Sequence, residues 1–255
     1  MQTRSVPIQR NGLQTTDAVV VEEPLEIRVG DKPVSVTLRT PGHDFDLAAG
    51  FLFTESILRS REEIESIRHW GSPNVVRVAL RDGARVDLQR LQRHFYSTSS
   101  CGVCGKASID ALRVAIAPIE DEIRVRYEML VSLPDVLRGE QAAFDATGAI
   151  HGAAAFARDG SMLCIREDIG RHNAVDKVIG SLFLDGGHAD ILVVSGRTSF
   201  EIVQKCAVGR IPILVAVGAP SSLTIELAHE FNITLLGFVR DGRANVYAGE
   251  QRLIP

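Results

Sequence analysis

Long apolar runs are missing from this chain: no uninterrupted stretch approaches the roughly 18 residues that a membrane helix needs, so no membrane partner is expected. A basic excess is missing too. Lysine and arginine number 28 against 32 acidic residues, for a net charge of −4, and the two signs are interspersed. The field that drives non-specific nucleic-acid binding is therefore absent, and no nucleic-acid partner is expected. The opening residues, MQTRSVPIQRNG, are polar and lack the apolar core of an export signal, which makes the cytoplasm the expected compartment. Aromatic content is only 5%, with 45% hydrophobic and 24% charged residues; this is the composition of an ordinary globular protein. At 255 residues the chain is ample for a sizeable core, as one large domain or two modest ones. Cysteine is scarce, four in all.

Two of those four form a glycine-framed pair, Cys101-Gly102-Val103-Cys104-Gly105, after the uncharged run Ser97-Thr98-Ser99-Ser100 and before an expected helix over residues 106–117. A thiol at a helix N-terminus sits among unpaired N–H groups at the positive end of the macrodipole, which favours its thiolate. The glycines free the backbone to turn and uncover the sulfur, and Lys106 adds positive charge. Nucleophilic or sulfur-carrying chemistry is the leading expectation. Half of a zinc site, a thioredoxin-like redox pair and a structural turn or disulfide share the spacing. Zinc would need two further ligands, yet Cys164 and Cys206 stand apart and no second C-x2-C or His-x3-His occurs; no metal ligands are assigned.

The pattern changes near residue 95, which divides a β-rich part, 1–94, from an α/β part, 95–255. In the first part, β-branched runs at 18–29 and 33–40 flank Gly30-Asp31-Lys32, a hairpin signal. A helix is expected over 45–58, and a second hairpin from 75–80 and 85–91. In the second part a helical stretch at 133–144 precedes strands at 151–157 and 162–166. Helices at 171–184, 199–208 and 221–231 then alternate with strands at 190–194, 213–217 and 234–238. Short, nearly all-apolar strands between helices indicate parallel βα units in a sheet covered on both faces.

Several polar segments fall at junctions of these elements. The stretch Arg166-Glu167-Asp168-Ile169-Gly170-Arg171-His172-Asn173-Ala174-Val175-Asp176-Lys177 opens a helix, and His172 and Asp176 at i, i+4 would share a face and could hydrogen-bond. Such a pairing would orient an imidazole for proton transfer; ordinary capping of a solvated helix start is the alternative. Ser195-Gly196-Arg197-Thr198-Ser199 and Gly218-Ala219-Pro220-Ser221-Ser222 would lie at carboxyl ends of parallel strands, where N–H groups suit phosphate, or simply form capped helix starts. Neither matches G-x4-G-K-[ST] or G-x-G-x-x-G. In Phe238-Val239-Arg240-Asp241-Gly242-Arg243, two arginines around a glycine turn could clamp a phosphate or stack on a base. His151 faces either a ligand or the core.

Taken together, these segments resemble the FdhD family of formate dehydrogenase accessory proteins, sulfur carriers for the molybdenum cofactor. The resemblance runs through Glu22-Glu23-Pro24-Leu25, Arg39-Thr40-Pro41-Gly42-His43-Asp44, Ser99-Ser100-Cys101-Gly102-Val103-Cys104-Gly105-Lys106, the 166–177 stretch, Ser195-Gly196-Arg197, Ala219-Pro220-Ser221-Ser222 and residues 237–247. It implies an α+β chain whose C-terminal part is a three-layer α/β domain of cytidine-deaminase-like architecture. It also implies sulfur transfer from a cysteine desulfurase to Mo-bis(molybdopterin guanine dinucleotide), for use by formate dehydrogenase. The family's persulfide carrier maps onto Cys101, its partner onto Cys104, and its cofactor-binding stretch onto Phe238–Arg243. Ser195, Gly196, Arg197 and His172 are further candidates for cofactor contact, GDP is expected to act as a partial mimic, and a homodimer is expected. Deaminase chemistry is not implied: no His has Glu two places on, and Ser100 stands where a zinc deaminase has proline. A CxxC dithiol–disulfide oxidoreductase and a non-catalytic cofactor-binding chaperone are the rival readings.

Overall fold

A computed structural model describes residues 2–84 and 116–255. The expected boundary near 95, the expected strand over 85–91, and Cys101 and Cys104 lie outside the described residues, as does the expected helix over 106–117 apart from its last two residues.

The N-terminal half begins with a hairpin, β1 (Thr3–Arg10) and β2 (Leu13–Val20), paired from Thr3↔Val20 to Arg10↔Leu13. Asn11 and Gly12 turn it with φ of 53° and 82°, the mirror-image turn that matches strand twist. The Asn-Gly pair in the sequence carried this signal. A second sheet has the order β4-β3-β6-β5, from β3 (Glu23–Val29), β4 (Lys32–Arg39), β5 (Ile64–His69) and β6 (Val75–Leu80). The hairpin expected at Gly30-Asp31-Lys32 is β3–β4. Strand β5 was not expected; only Ile64 and Ile67 interrupt its exposed residues, so alternation is weak. Helix α1 (Asp44–Thr54), shorter than the expected 45–58, packs Leu47, Ala48 and Leu52 on Leu25, Ile27, Val76 and Val78 of the sheet.

The C-terminal half is a six-stranded sheet ordered β13-β12-β11-β10-β8-β9, with β8 (His151–Phe156), β9 (Met162–Asp168), β10 (Ile191–Val194), β11 (Ile213–Ala216), β12 (Thr234–Arg240) and β13 (Arg243–Ala248). Only β10, β11 and β12 pair in parallel; β8, β9 and β13 are antiparallel additions. Two short strands, β7 (Val125–Arg126) and β14 (Leu253–Ile254), pair separately. The helical stretch expected at 133–144 is two helices, α2 (Tyr127–Gly139) and α3 (Ala142–Thr147), broken at Glu140-Gln141. The remaining helices are α4 (Arg171–Asp185), α5 (Phe200–Val208) and α6 (Ser222–Glu230).

Alternation along the buried strands divides this half into three layers. Leu192, Val194, Leu214, Ala216 and Leu235 face α4, α5 and α6. Ile191, Val193, Ile213, Val215 and Leu236 face Leu130, Leu133 and Leu137 of α2. An α+β chain with a three-layer α/β half is thus observed. Among the described residues no helix is long and apolar enough to cross a membrane.

The halves join where α1 crosses α4. A Cβ on Gly50 would lie 1.9 Å from the Asp176 carbonyl oxygen, and one on Gly180 would lie 1.9 Å from that of Asp46. Backbone therefore touches backbone, and the polar groups trapped beside the crossing are paired. Thr54 Oγ1 donates to Asp176 Oδ1 at 2.8 Å, and Lys205 Nζ donates to the same carboxylate at 2.8 and 3.0 Å. Arg166 grips Asp46 at 2.9 and 2.8 Å. Burial opposes ionisation of Asp46, but hydrogen bonds from His43 and Arg166 outweigh it and hold the carboxyl below its ordinary range. Replacing Gly50 or Gly180 by Ala is expected to destabilise the protein by about 3 kcal/mol or more, since overpacking here meets backbone and not a flexible side chain; urea unfolding of each variant measures this.

Candidate functional site

A cleft of about 550 Å³ opens at the carboxyl ends of β10, β11 and β12, lined there by Ser195, Val217, Val239, Arg240 and Asp241. This is where parallel sheets hold ligands. Because β8 runs antiparallel, its first residue, His151, reaches the same end. Gly152 N donates to Ser195 Oγ at 2.9 Å and Ser195 N donates to the Gly152 carbonyl at 3.0 Å, locking the first strand to the first loop. The loops after the parallel strands then stack by hydrogen bonding: Gly218 N donates to the Gly196 carbonyl at 3.0 Å and Phe238 N to the Gly218 carbonyl at 3.1 Å. A Cβ on Gly218 would stand 2.7 Å from Arg197 N, so only glycine fits.

The opposite wall comes from α2 and α3, with Pro134, Leu137, Arg138, Gln141 and Phe144 among its residues. None of these was singled out from the sequence, because nothing local marks them. Two buried acceptors fix the short α3: Glu167 Oε2 and Oε1 take the N–H groups of Ala143 and Phe144 at 2.9 and 3.0 Å. The Arg138 guanidinium lies 4.5 Å from the Phe144 ring centroid. Gln141 is 2% exposed and its Nε2 finds no partner among the described residues, although the group lines the cleft. An unpaired buried donor costs about 1–3 kcal/mol, and a ligand acceptor would recover it.

His151 reports the electrostatics at the base of the cleft. Burial first, and then the charges of Arg171, His172 and Arg197, push the His151 imidazole below its ordinary pKa despite the opposing pull of Asp168. The shift favours the neutral imidazole, a donor and acceptor beside the guanidinium groups of Arg171 and Arg197. Gly196 packs on it, with room for a Cβ only at 3.2 Å from His151 Nδ1.

His172 and Asp176 do not pair, contrary to expectation. His172 Nε2 lies 2.9 Å from Ser199 Oγ, its hydrogen-bond partner, and equally close to Glu201 Oε2, while Asp176 faces Thr54 and Lys205. The helix phase is shared, but tertiary partners draw the two side chains apart. Most of the 166–177 stretch is structural. Asp168 accepts from Lys177 Nζ at 2.7 Å, Gly170 N at 2.8 Å, Asn173 Nδ2 at 3.1 Å and Thr40 N at 3.1 Å. Lys177 also donates to the Thr40 carbonyl at 2.8 Å. In the other half, buried Arg39 makes a two-pronged contact with Asp44 at 3.0 and 2.9 Å and reaches Asn74 at 3.0 Å.

Of the C-terminal candidates, Val239, Arg240 and Asp241 line the cleft, whereas Phe238, Gly242 and Arg243 are not among its lining residues. Asp241 and Gly242, with φ of 51° and 70°, make the β12–β13 turn that pairs Arg240 with Arg243; strand β13 itself was not expected. Phe238 has φ of 54° and is exposed. At the Gly218–Ser222 junction, Ser221 Oγ caps α6 by accepting from Thr224 N at 3.3 Å, the ordinary role for such a residue. Arg197 is exposed beside the cleft. Burial pushes the thiols of Cys164 and Cys206 up, which makes both poor nucleophiles. Among the described residues no group of three or more His, Cys, Asp and Glu is placed to hold a metal ion.

These features define a class: a two-part α+β protein whose three-layer half carries a polar cleft, lined by arginine and aspartate, at the ends of its parallel strands. The model of the FdhD/NarQ family matches residues 20–254, and the chain belongs to that family. It is 46% identical to a Streptomyces coelicolor protein named sulfur carrier protein FdhD, over 99% of this chain and 95% of that one. A Mycolicibacterium paratuberculosis protein of the same name is 48% identical over 93% and 92% of the two chains. In structure it is similar to a Desulfotalea psychrophila protein assigned as a formate dehydrogenase accessory protein, with a TM-score of 0.80, 25% identity, and coverage of 99% and 98%.

His151 gives a direct check on the cleft. The folded imidazole holds its proton less tightly than the unfolded chain, so it contributes stability above the ordinary value of 6.5 that is lost as pH falls below it. NMR titration is expected to give a midpoint below 6.5. His151→Asn should flatten the acid limb of the stability–pH curve.

Proposed function

We propose that this protein is a sulfur carrier that moves persulfide sulfur from a cysteine desulfurase to Mo-bis(molybdopterin guanine dinucleotide), supporting formate dehydrogenase in the cytoplasm. The observation that carries this reading is the near full-length similarity to proteins named as sulfur carriers. The relatives' names lend nothing to a dithiol–disulfide oxidoreductase or to a chaperone without sulfur chemistry. Sulfurtransferase chemistry at Cys101 is the finer part of the proposal. The Cys101 thiolate attacks the outer sulfur of the donor's persulfide; an S–S bond forms to Cys101 while the donor's own S–S bond breaks and its thiolate leaves. The outer sulfur, with its proton, is then held on Cys101 as cargo for the molybdenum of the substrate. Cys104 shields or hydrogen-bonds it.

The cleft suits one nucleotide arm of that substrate. Its volume falls within the roughly 300–1,000 Å³ of pockets for drug-sized ligands, Arg240 and Arg138 offer charged donors for a diphosphate, and the Gln141 amide and the Phe144 ring suit a base. GDP is the proposed partial mimic. Ser195, Gly196 and His151 would shape the floor, with Arg197 adding positive charge and His172 a ring N–H or acceptor. A homodimer would present two such clefts to a substrate with two nucleotide arms, and light scattering tests that state.

Two outcomes are expected. Cys101→Ala should abolish formate dehydrogenase maturation, with Cys104→Ala milder; mass analysis after incubation with a desulfurase and cysteine should find one added sulfur on Cys101. An internal disulfide, or no change, would refute the reading. Arg240→Ala should weaken GDP binding about tenfold or more, since a charged hydrogen bond contributes about 1.5–3 kcal/mol. Arg243→Ala, outside the cleft lining, should cost less. Calorimetry with GDP separates the two.

A further inference from the structure

The four-stranded sheet of the N-terminal half has a second face. Leu25, Ile27, Val76 and Val78 point to α1, so the intervening residues of the same strands point away from it. That outer face carries Val36 and Leu38 of the edge strand β4, 55% and 57% exposed, and Trp70, 42% exposed. Between them runs a row of arginines. Arg28 pairs in register with Arg77 across β3 and β6, and Arg77 with Arg68 across β6 and β5.

Three like charges on neighbouring strands are mutually destabilising, and the local compensation is partial. Arg28 meets the half-buried Glu26 at 3.1 Å, whereas Arg77 meets the largely exposed Asp31 at 3.1 Å, a pairing that solvent weakens. Arg68 has no carboxylate partner among the described residues; its guanidinium lies 5.0 Å from the Trp70 ring centroid and that of Arg77 4.4 Å from it. The Nε atom of Arg77 is buried without a hydrogen-bond partner, and that of Arg28 has only the Glu26 carboxylate beside it. Two guanidinium groups hold the indole in a fixed orientation instead of leaving it mobile. A rigid tryptophan among arginines, flanked by exposed valine and leucine, has the make-up of an interface hot spot with a charged surround.

We propose that this face is the docking surface for the sulfur-donating protein, engaged through an apolar patch rimmed with carboxylates. The inference rests on the sulfur-carrier reading. Charge sets the sign of the partner: a two-fold contact between copies of this chain would bring the arginine row towards its own image, which is repulsive. A nucleic acid is disfavoured by the chain's net charge of −4. Position selects the donor over the recipient. All described residues lining the cleft come from 134–241, in the other half, whereas β6 is the last described strand before the stretch of sequence that carries Cys101. A donor on this sheet and the cofactor in the cleft would use different surfaces.

The test uses the purified cysteine desulfurase of the same organism as the probe, with Arg68→Glu/Arg77→Glu and Trp70→Ala variants of the full chain. Thermal melts establish that the variants fold, and Arg68→Ala, at an exposed side chain with no hydrogen bond among the described residues, serves if the double variant does not. Calorimetry is expected to show desulfurase affinity falling tenfold or more in the charge-reversed protein, with a flattened salt dependence. Sulfur loading from the desulfurase should fall in step. Loading from inorganic polysulfide should stay at the wild-type level, and GDP affinity should not change. Equal desulfurase affinity in wild type and folded variants would overturn the proposal, as would no binding to the wild type, or a wild-type dimer that the variants dissociate. Polysulfide loading of wild-type Cys101 reports separately on the sulfur-carrier reading, so a failure of docking is distinguishable from a failure of that reading.

Discussion

The crossing of α1 over α4 is the contact on which the rest of the structure depends. Gly50 and Gly180 let the two backbones meet without side chains between them, and this close approach brings the β-rich half onto the three-layer half. Once backbones are that close, every polar group near the crossing leaves water and must find a partner inside. The Thr54–Asp176–Lys205 cluster, the Arg166–Asp46 pair and the four donors around Asp168 meet that requirement. Removing one member would leave a buried charge unpaired, the costly case for a buried ion pair.

That junction explains why charged residues crowd the 166–177 stretch. Read as a helix start, the segment suggests a site for proton transfer. In the fold, Asp168 and Lys177 tie α4 to Thr40 of the other half, and the beginning of the helix places the Arg171 charge near His151. One stretch thus serves two ends of the same helix: its start contributes to the electrostatics of the cleft, and its body holds the halves together. The cleft in turn is built from loops that hydrogen-bond one another across three parallel strands, so its floor is as rigid as the sheet. Its outer wall rests on the short helix α3, anchored by the Glu167 carboxylate.

The two halves offer separate surfaces for the proposed work of a carrier. That role asks a loading partner and a large phosphorylated acceptor to reach the chain without excluding each other. The cleft belongs to the C-terminal half and the arginine-and-tryptophan face to the N-terminal sheet. Arginines mark each surface, in the first case Arg138 and Arg240 beside Asp135 and Asp241 in a concave pocket and in the second a row across a sheet. Shape would therefore separate the proposed small ligand from the proposed protein partner where charge alone would not.

The sequence by itself determined the elements with strong periodicity or strong punctuation. The alternation of apolar strands and helices after residue 170 stands in the fold nearly as read, because fully buried strands leave little freedom in composition. The Gly30-Asp31-Lys32 turn is likewise where the sequence puts it. The sequence also brought Ser195, Val239, Arg240 and Asp241 forward as candidates, since loops at strand ends announce themselves by small and charged residues. Tertiary structure alone decided what those residues face. The antiparallel setting of β8 carries His151 to the cleft, and the break between α2 and α3 sets Gln141 and Phe144 opposite Arg240. Partners in distant segments separate His172 from Asp176, and the turn at Asp241-Gly242 leaves Arg243 outside the lining. Each of these is a contact between residues far apart in the chain, and local pattern records only a residue's own preference for helix, strand or turn. It holds no record of which neighbour the packed chain will supply.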